Sequence, residues 1–234
     1  MEFYIIIFIL ILILLILLYI YDVNIKELKI FVKKEEEKLN QLTVRYPENT
    51  EICKYILNKL KNNNVKIEED KQSNTCLYIV ATNKIIIANV RNSYTRIQTI
   101  AHECLHSIQP KKMLLFNFIY SNIYILYFAI TTILIALKVI PANQIYLIIM
   151  LILSYVQYFI RSYLENDAMI KAKYLAKEYL EDVNLSSKEE IEQIVESYDK
   201  LNNKGIKMTN YELFFKTIVK IFIMIFVLHI RGGI

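Results

Sequence analysis

The sequence predicts a mostly α-helical membrane protein with three to four transmembrane helices and a small cytoplasmic α+β domain, which combines helices with a short antiparallel sheet. Three observations support this fold class. Hydrophobic residues make up 55% of the chain, they are concentrated in four long stretches, and the polar stretches between them have the periodicities of short helices and strands. A soluble protein would spread its apolar residues along the chain instead.

Charge and cysteine content narrow the possible partners. The chain has 28 basic and 23 acidic residues, but the two kinds are interspersed and form no basic patch of the kind that binds nucleic acid. A lipid bilayer is therefore an expected partner and nucleic acid is not. The three cysteines form no CxxC pair, which predicts reduced thiols rather than a disulfide framework.

The first hydrophobic stretch, residues 3–21, predicts a transmembrane anchor. It carries no charge and is long enough as a helix to cross a hydrocarbon layer of about 30 Å. A cleaved signal peptide is the alternative, but it would begin with basic residues and end at small ones. Here Glu2 precedes the stretch, and Tyr19 and Tyr21 close it in the manner of an interfacial aromatic belt.

Two further uncharged stretches, 113–137 and 143–160, predict a transmembrane hairpin over residues 113–160. The connection 138–142 is short, so we expect the two helices to run antiparallel. A buried hairpin in a soluble core is the alternative, but no other part of the chain is large enough to cover it.

The last hydrophobic stretch, 212–230, predicts either a fourth transmembrane helix or an amphipathic helix in the interface. Lys216 and Lys220 lie four residues apart and share one helical face, from which both ammonium groups can reach the polar interface of a spanning helix. An interfacial helix explains the same pattern, so the sequence leaves three or four spans open.

Basic residues beside the spans predict the orientation. By the positive-inside rule, the side with more lysine and arginine near the span ends faces the cytoplasm. This places residues 22–112 and 161–211 together in the cytoplasm of a multi-pass plasma-membrane protein. The residues counted are Lys26, Lys29, Lys33, Lys34, Lys111, Lys112, Arg161, Lys171 and Lys173, against Lys138 and Arg231.

The two polar stretches predict short helices and strands from hydrophobic spacing and turn residues. The predicted helices are a charged stalk at 22–42 and the segments 49–62, 95–109, 162–182 and 188–202. The predicted strands are 65–69, 76–81 and 84–90, the last two joined by a turn at Thr82-Asn83. Ser187 and Glu190 form a capping box at the start of the last helix, which we expect Asn203-Lys204-Gly205 to end.

The helix at 95–109 contains the sequence HECLH and predicts a metal-binding face. His102 and His106 lie one helical turn apart, so both imidazoles can reach one ion. Glu103 lies beside them, where it can take a proton from a water molecule activated by zinc. Thr95 and Gln98 are expected to cap the helix. The opposite face is an apolar stripe of Ile97, Ile100, Ala101, Cys104, Leu105 and Ile108. The alternative is a pair of ordinary surface histidines.

A catalytic zinc ion needs a third protein ligand and an open position. The remaining histidine, His229, lies at the far end of the last hydrophobic stretch, so a carboxylate is expected. His106 precedes the hairpin by seven residues and Glu165 follows it by five. Because a hairpin returns its ends to one place, we expect His102, His106 and Glu165 to bind one Zn²⁺ per chain. Asp167 is a candidate to orient one of the histidines.

The segment TIAHECLHSIQ, followed by a hairpin and LENDAMIKA, resembles the membrane-bound neutral zinc metallopeptidases of bacteria and, more distantly, the HtpX-type and CAAX prenyl proteases. The resemblance implies a zincin-like cytoplasmic domain with zinc ligands at His102, His106 and Glu165. It also implies Glu103 as the catalytic glutamate and Ala168 as a small residue where two helices approach. The sequence departs from these families at Cys104-Leu105, where Val-Gly is usual, and at Met169, where the HtpX type has aspartate.

Motif and topology together predict an integral-membrane zinc endopeptidase that cleaves membrane or membrane-proximal proteins or peptides, with Glu103 as general base. An extended substrate is expected to pair with strand 84–90, if that strand is an exposed sheet edge. Two alternatives stay open. One is a non-catalytic zinc-binding membrane protein in which Cys53 or Cys76 supplies a fourth ligand, and the other is an interaction protein whose motif is accidental.

Overall fold

The structure is a computed structural model that describes residues 2–23, 37–73 and 75–233. Its helices are α1 (Glu2–Ile20), α2 (Asn49–Lys59), α3 (Arg96–Ile108), α4 (Lys111–Ala136), α5 (Ile145–Val183) and α6 (Lys188–Ile230), and residues 37–44 are also helical. Its strands are β1 (Lys66–Asp70), β2 (Leu77–Ile79) and β3 (Lys84–Ala88). The predicted mostly helical architecture is confirmed. Most of the predicted stalk, with Lys26, Lys29, Lys33 and Lys34, lies outside the described residues.

The chain divides into two compact units. The helical unit consists of Met1–Val23, Phe116–Tyr163 and Lys207–Ile234. The mixed unit consists of Asn24–Leu115 and Leu164–Ile206 and contains the sheet. Because α4, α5 and α6 each contribute residues to both units, three helices run from one unit into the other.

Among the described residues, four helices are long and apolar enough to cross a membrane, namely α1, α4, α5 and α6. Large apolar side chains such as Phe8 and Phe159 are 66% and 64% exposed in the helical unit. Such a surface suits lipid rather than water, and the helices satisfy their backbone groups internally, as a bilayer requires. These features are those of a membrane protein.

The predicted hairpin is formed by α4 and α5. Two tyrosine hydroxyls of α4 donate to backbone carbonyls of α5, from Tyr120 to Leu153 at 3.1 Å and from Tyr127 to Tyr146 at 2.9 Å. Moving forward along α4 therefore means moving backward along α5, which is the antiparallel arrangement expected from the short connection.

Two helices are longer than predicted. The segments 143–160 and 162–182 are both part of the single helix α5, and α6 continues through Asn203-Lys204-Gly205, so the helix end predicted there is wrong. A glycine inside a helix costs only about 1 kcal/mol, which tertiary contacts can offset. Gly205 packs against α5, since a Cβ atom there would lie 3.0 Å from Met169 Cε, and Asn202 Nδ2 donates to the Met169 carbonyl at 3.0 Å.

The sheet of the mixed unit has the order β1-β3-β2. The antiparallel prediction is correct for β2 with β3 and wrong for β1 with β3, which pair in parallel. The exposed edge predicted for residues 84–90 is also wrong, because β3 is the central strand and its Ile85, Ile87 and Ala88 are buried. A central strand is hydrogen-bonded along both edges and suits the apolar sequence of β3, whereas the charged strand β1 (KIEED) suits an edge.

Helix α3 packs against α2 and against β2 and β3. Five of the six predicted apolar residues are buried, while Ile108, at the helix end, is 46% exposed. Thr95 makes no side-chain cap, so the capping prediction there is wrong. In contrast, Ser187 and Glu190 exchange the two hydrogen bonds of a capping box at 2.9 and 3.2 Å, which confirms the prediction for α6.

A buried arginine fixes the start of α3. The guanidinium of Arg96 is 0% exposed and donates to the carbonyls of Thr43, Tyr46 and Pro47 at 2.9, 2.8 and 3.0 Å and to Asn49 Oδ1 at 3.1 Å. Burial lowers its pKa below that of a free guanidinium, and the four acceptors compensate for the lost hydration. Arg96 thereby ties the start of α3 to the chain that leads into α2.

Candidate metal centre

The side chains of His102, His106 and Glu165 converge in the mixed unit, and their ligand atoms all lie within 4.8 Å of one another. The two Nε2 atoms are 3.0 Å apart. Glu165 Oε2 is 3.5 Å from His102 Nε2 and 3.6 Å from His106 Nε2. The imidazole rings are nearly perpendicular, at 88°, so their Nε2 atoms approach each other without stacking of the rings.

These distances fit a small divalent ion. A point about 2.0 Å from all three ligand atoms exists at the centre of the triangle, which is the bond length of zinc to imidazole nitrogen and carboxylate oxygen. Calcium bonds are about 2.3–2.6 Å long and use oxygen ligands only. Two imidazoles and one carboxylate therefore suit a transition-series ion such as zinc.

Glu165 is positioned by the burial of its neighbours on α5. Leu164 is 2% exposed and Ala168 is 0% exposed, so this face of the helix packs into the mixed unit. Glu165 itself retains 18% exposure at the edge of that face. The complete burial of Ala168 agrees with the small residue expected there, because a larger side chain would push α5 away from its neighbours.

Glu103 lies outside the ligand group and is held by the sheet. Its Oε2 accepts a 2.6 Å hydrogen bond from the backbone N–H of Tyr78 in β2, and the residue is only 7% exposed. Burial raises the pKa of Glu103 above the usual 4.5, although His102, His106 and the Tyr78 N–H oppose the rise. A carboxylate with a raised pKa accepts a proton more readily near neutral pH, as a general base must.

The two histidines are set in the same acidic environment. Burial alone lowers the pKa of His106, but a hydrogen bond to Glu165 and its negative charge raise it more, so the pKa lies above the usual 6.5. In the metal-free protein a proton therefore competes for the position between the three ligands.

The sequence missed one residue of this site, Gln109, which is buried at the end of α3. Its amide contacts His106 Nδ1 at 2.9 Å and Asp167 Oδ2 at 3.2 Å. A signal was present, because Gln109 lies three positions after His106 on the same helical face. Burial raises the pKa of Asp167, but Lys171 and Gln109 lower it more, so this carboxylate stays below its usual pKa.

The cysteines do not contribute to the ligand group. Cys53 Sγ lies 3.6 Å from Cys104 Sγ, and Cys76 Sγ accepts from the backbone N–H of Ala88 at 3.3 Å. All three are buried and free. Within the described part of the chain, the fourth ligand that a closed structural site would need is therefore not supplied by Cys53 or Cys76.

The chain matches no family model, and no curated protein or solved structure is similar to it at a significant level.

Proposed function

We propose that this protein is an integral-membrane zinc-dependent endopeptidase. The observation that carries the proposal is the separation of roles among four side chains. His102, His106 and Glu165 form a three-ligand group, while Glu103 stands outside it with its carboxylate fixed by the Tyr78 N–H. Three protein ligands with one open position, next to a buried carboxylate that is not a ligand, are the arrangement that metal-assisted hydrolysis requires.

The same observation favours hydrolysis over a purely structural zinc site. A structural site is closed by four protein ligands, commonly including cysteine thiolates. Here the carboxylate nearest in sequence to both histidines is directed to the backbone of β2 instead of completing the group. Burial of a carboxylate is costly, so a buried glutamate beside the three-ligand group favours a role in proton transfer over a purely structural zinc site.

The residues of the chain carry the remaining steps. When bound, zinc polarises the scissile carbonyl and lowers the pKa of a water molecule. His102, His106 and Glu165 hold the ion and leave a position open. Glu103 accepts a proton from the attacking water as the new C–O bond forms, and it then passes this proton to the amine nitrogen, so that the C–N bond of the peptide breaks and the amine leaves.

The substrate is proposed to pair with β2 rather than with β3. Strand β2 is an edge of the sheet, and its Tyr78 N–H points away from β3, towards Glu103. In an antiparallel pair the N–H and C=O of one residue point to the same side, so the Tyr78 carbonyl is also directed outward. An extended peptide can donate a backbone N–H to it and lie alongside α3.

We further propose that the substrates are membrane or membrane-proximal proteins and that the site faces the cytoplasm. Glu165 is five residues beyond the predicted span 143–160, on the same helix α5. The basic residues beside the spans support a cytoplasmic location for both parts of the mixed unit.

The test compares the wild-type protein with Glu103→Gln in detergent. Both proteins are expected to carry about one zinc ion per chain, because Glu103 is not a ligand. Wild type should cleave casein or itself, and Glu103→Gln should lose cleavage by a factor of about 10²–10⁴, the usual contribution of a general base.

Glu51→Gln is the matched control, since Glu51 is exposed on α2. It should retain both zinc and cleavage. A wild-type protein that binds no zinc, or one whose cleavage survives in Glu103→Gln, would refute the proposal.

A further inference from the structure

We infer that Gln109 is a positioning residue of the metal centre. It fixes which ring nitrogen of His106 carries the proton, and its single amide links α3, which carries the two histidines, with α5, which carries Glu165. The inference rests on the proposed zinc site, because it concerns how the protein presents a ligand to the ion. Gln109 follows α3 directly and is 7% exposed, so its amide makes its hydrogen bonds within the protein.

The surroundings of Gln109 determine how its amide is oriented. Nε2 lies 2.9 Å from the carbonyl oxygen of Leu164 and 3.2 Å from Asp167 Oδ2. A carbonyl can only accept a hydrogen bond, and so can an ionised carboxylate. The NH₂ group must therefore face α5, which directs Oε1 to His106.

This orientation sets the tautomer of His106. Gln109 Oε1 is 2.9 Å from His106 Nδ1, and an amide oxygen has no proton to give. Nδ1 must therefore be the protonated nitrogen, which leaves the lone pair of the neutral ring on Nε2. Nε2 is the atom that lies 3.0 Å from His102 Nε2 and 3.6 Å from Glu165 Oε2, so the lone pair is located where the ion must bind.

Gln109 also holds α5, the helix that carries Glu165, in a fixed position relative to α3. Leu164 precedes Glu165 by one residue and Asp167 follows it by two, so the amide contacts α5 on both sides of the third ligand. Asp167 is itself paired with Lys171 through Oδ1 at 2.5 Å. The chain Lys171–Asp167–Gln109–His106 thus connects α5 with α3 by consecutive hydrogen bonds.

A histidine that binds a metal usually donates the N–H of its other ring nitrogen to a carboxylate, a carbonyl or water. Here a neutral amide is in that position, and the carboxylate acts one step further away. An amide has both an acceptor and donors, so it can serve the imidazole and α5 at the same time. A carboxylate at position 109 would accept from His106 but would face the acceptors on α5.

The experiment measures zinc affinity by competition with a chelating dye and records the visible absorption of the Co²⁺-loaded protein. Gln109→Met keeps the length of the side chain and removes its hydrogen bonds. We expect its zinc affinity to fall about 10–100-fold, the usual effect of losing such a partner, and its Co²⁺ spectrum to shift. Gln98→Met, on the same helix and half-buried, is the control and should change neither.

A charge exchange tests the donor and acceptor roles directly. Gln109→Glu alone brings a carboxylate against Asp167 and should weaken zinc binding. Adding Asp167→Asn supplies N–H donors to that carboxylate, and we expect the double variant to recover at least threefold in affinity over Gln109→Glu. If Gln109→Met does not fold, as judged by circular dichroism, the charge exchange decides the question.

Two outcomes would overturn the inference. One is zinc affinity and a Co²⁺ spectrum in Gln109→Met that equal those of wild type. The other is a failure of Asp167→Asn to improve Gln109→Glu. Neither readout uses peptide cleavage, so a wild type that binds zinc without cleaving refutes the proposed peptidase and leaves this inference standing.

Discussion

If Glu165 is the third zinc ligand, as proposed, shortening its side chain by one methylene should release the ion. Glu165→Asp withdraws the carboxylate by about 1.5 Å, the length of one C–C bond, from a position that now lies about 2.0 Å from the common centre of the three ligand atoms. The oxygen would then be about 3.5 Å away, outside bonding distance to zinc. Leu164 and Ala168 are buried, so α5 cannot move closer without repacking its face.

The expected loss of zinc affinity follows from the part of the binding free energy that one ligand contributes. Zinc sites with four protein ligands bind with about 10–16 kcal/mol, or about 3 kcal/mol for each ligand, which corresponds to about 100-fold in affinity. Glu165→Asp and Glu165→Gln should both lose about this factor in competition with a chelating dye. Glu181→Asp shortens an exposed carboxylate on the same helix and is the matched control. If both Glu165 variants bound zinc as tightly as the control, Glu165 would not be a ligand.

Three further predictions concern pH and stability. The pKa of His106 lies above 6.5 in the metal-free protein, so protons should displace zinc as the pH falls through that raised value. In zinc titrations between pH 8 and pH 5, the zinc affinity should therefore begin to fall at a higher pH than the pKa of a free imidazole predicts. Arg96→Met leaves three carbonyls and Asn49 without their donor and should destabilise the mixed unit by about 3 kcal/mol. The control is Arg45→Met, at an exposed ion pair, which should change Tm in thermal melts by less than about two degrees. An equal loss of Tm in both variants would contradict the prediction. In Gly205→Ala, the new methyl group contacts only the end of the flexible Met169 side chain. This variant should therefore stabilise the protein by about 0.5–1 kcal/mol through helix propensity, whereas the larger side chain of Gly205→Leu should lower Tm. A lower Tm for Gly205→Ala would show that the contact with α5 is rigid.

The sequence was sufficient to predict the convergence of His102, His106 and Glu165. Helical spacing places the first two on one face, and the return of a hairpin brings the third to the same place, so both arguments depend only on regular geometry. The sequence was also sufficient to predict the antiparallel hairpin and the capping box of Ser187, because each is a local pattern.

The remaining features depend on contacts that no local pattern contains. The parallel pairing of β1 with β3 places β3 between two strands, which is a long-range arrangement, whereas a turn signal indicates only sequential hairpins. Gly205 has the composition of a helix end, but its packing against Met169 requires knowledge of a neighbouring helix. The spacing of Gln109 from His106 is visible in the sequence, but the orientation of its amide follows only from the two acceptors that α5 supplies.

The complete burial of the thiols gives the mixed unit an internal reporter of its own opening. All three cysteines of the chain lie there, at 0–5% exposure, so a maleimide dye can reach sulfur only when this unit opens locally or unfolds. The rate of labelling therefore follows the dynamics of the mixed unit without any engineered probe. Unfolding confined to the helical unit would leave the labelling rate unchanged, so the rate reports on the mixed unit alone.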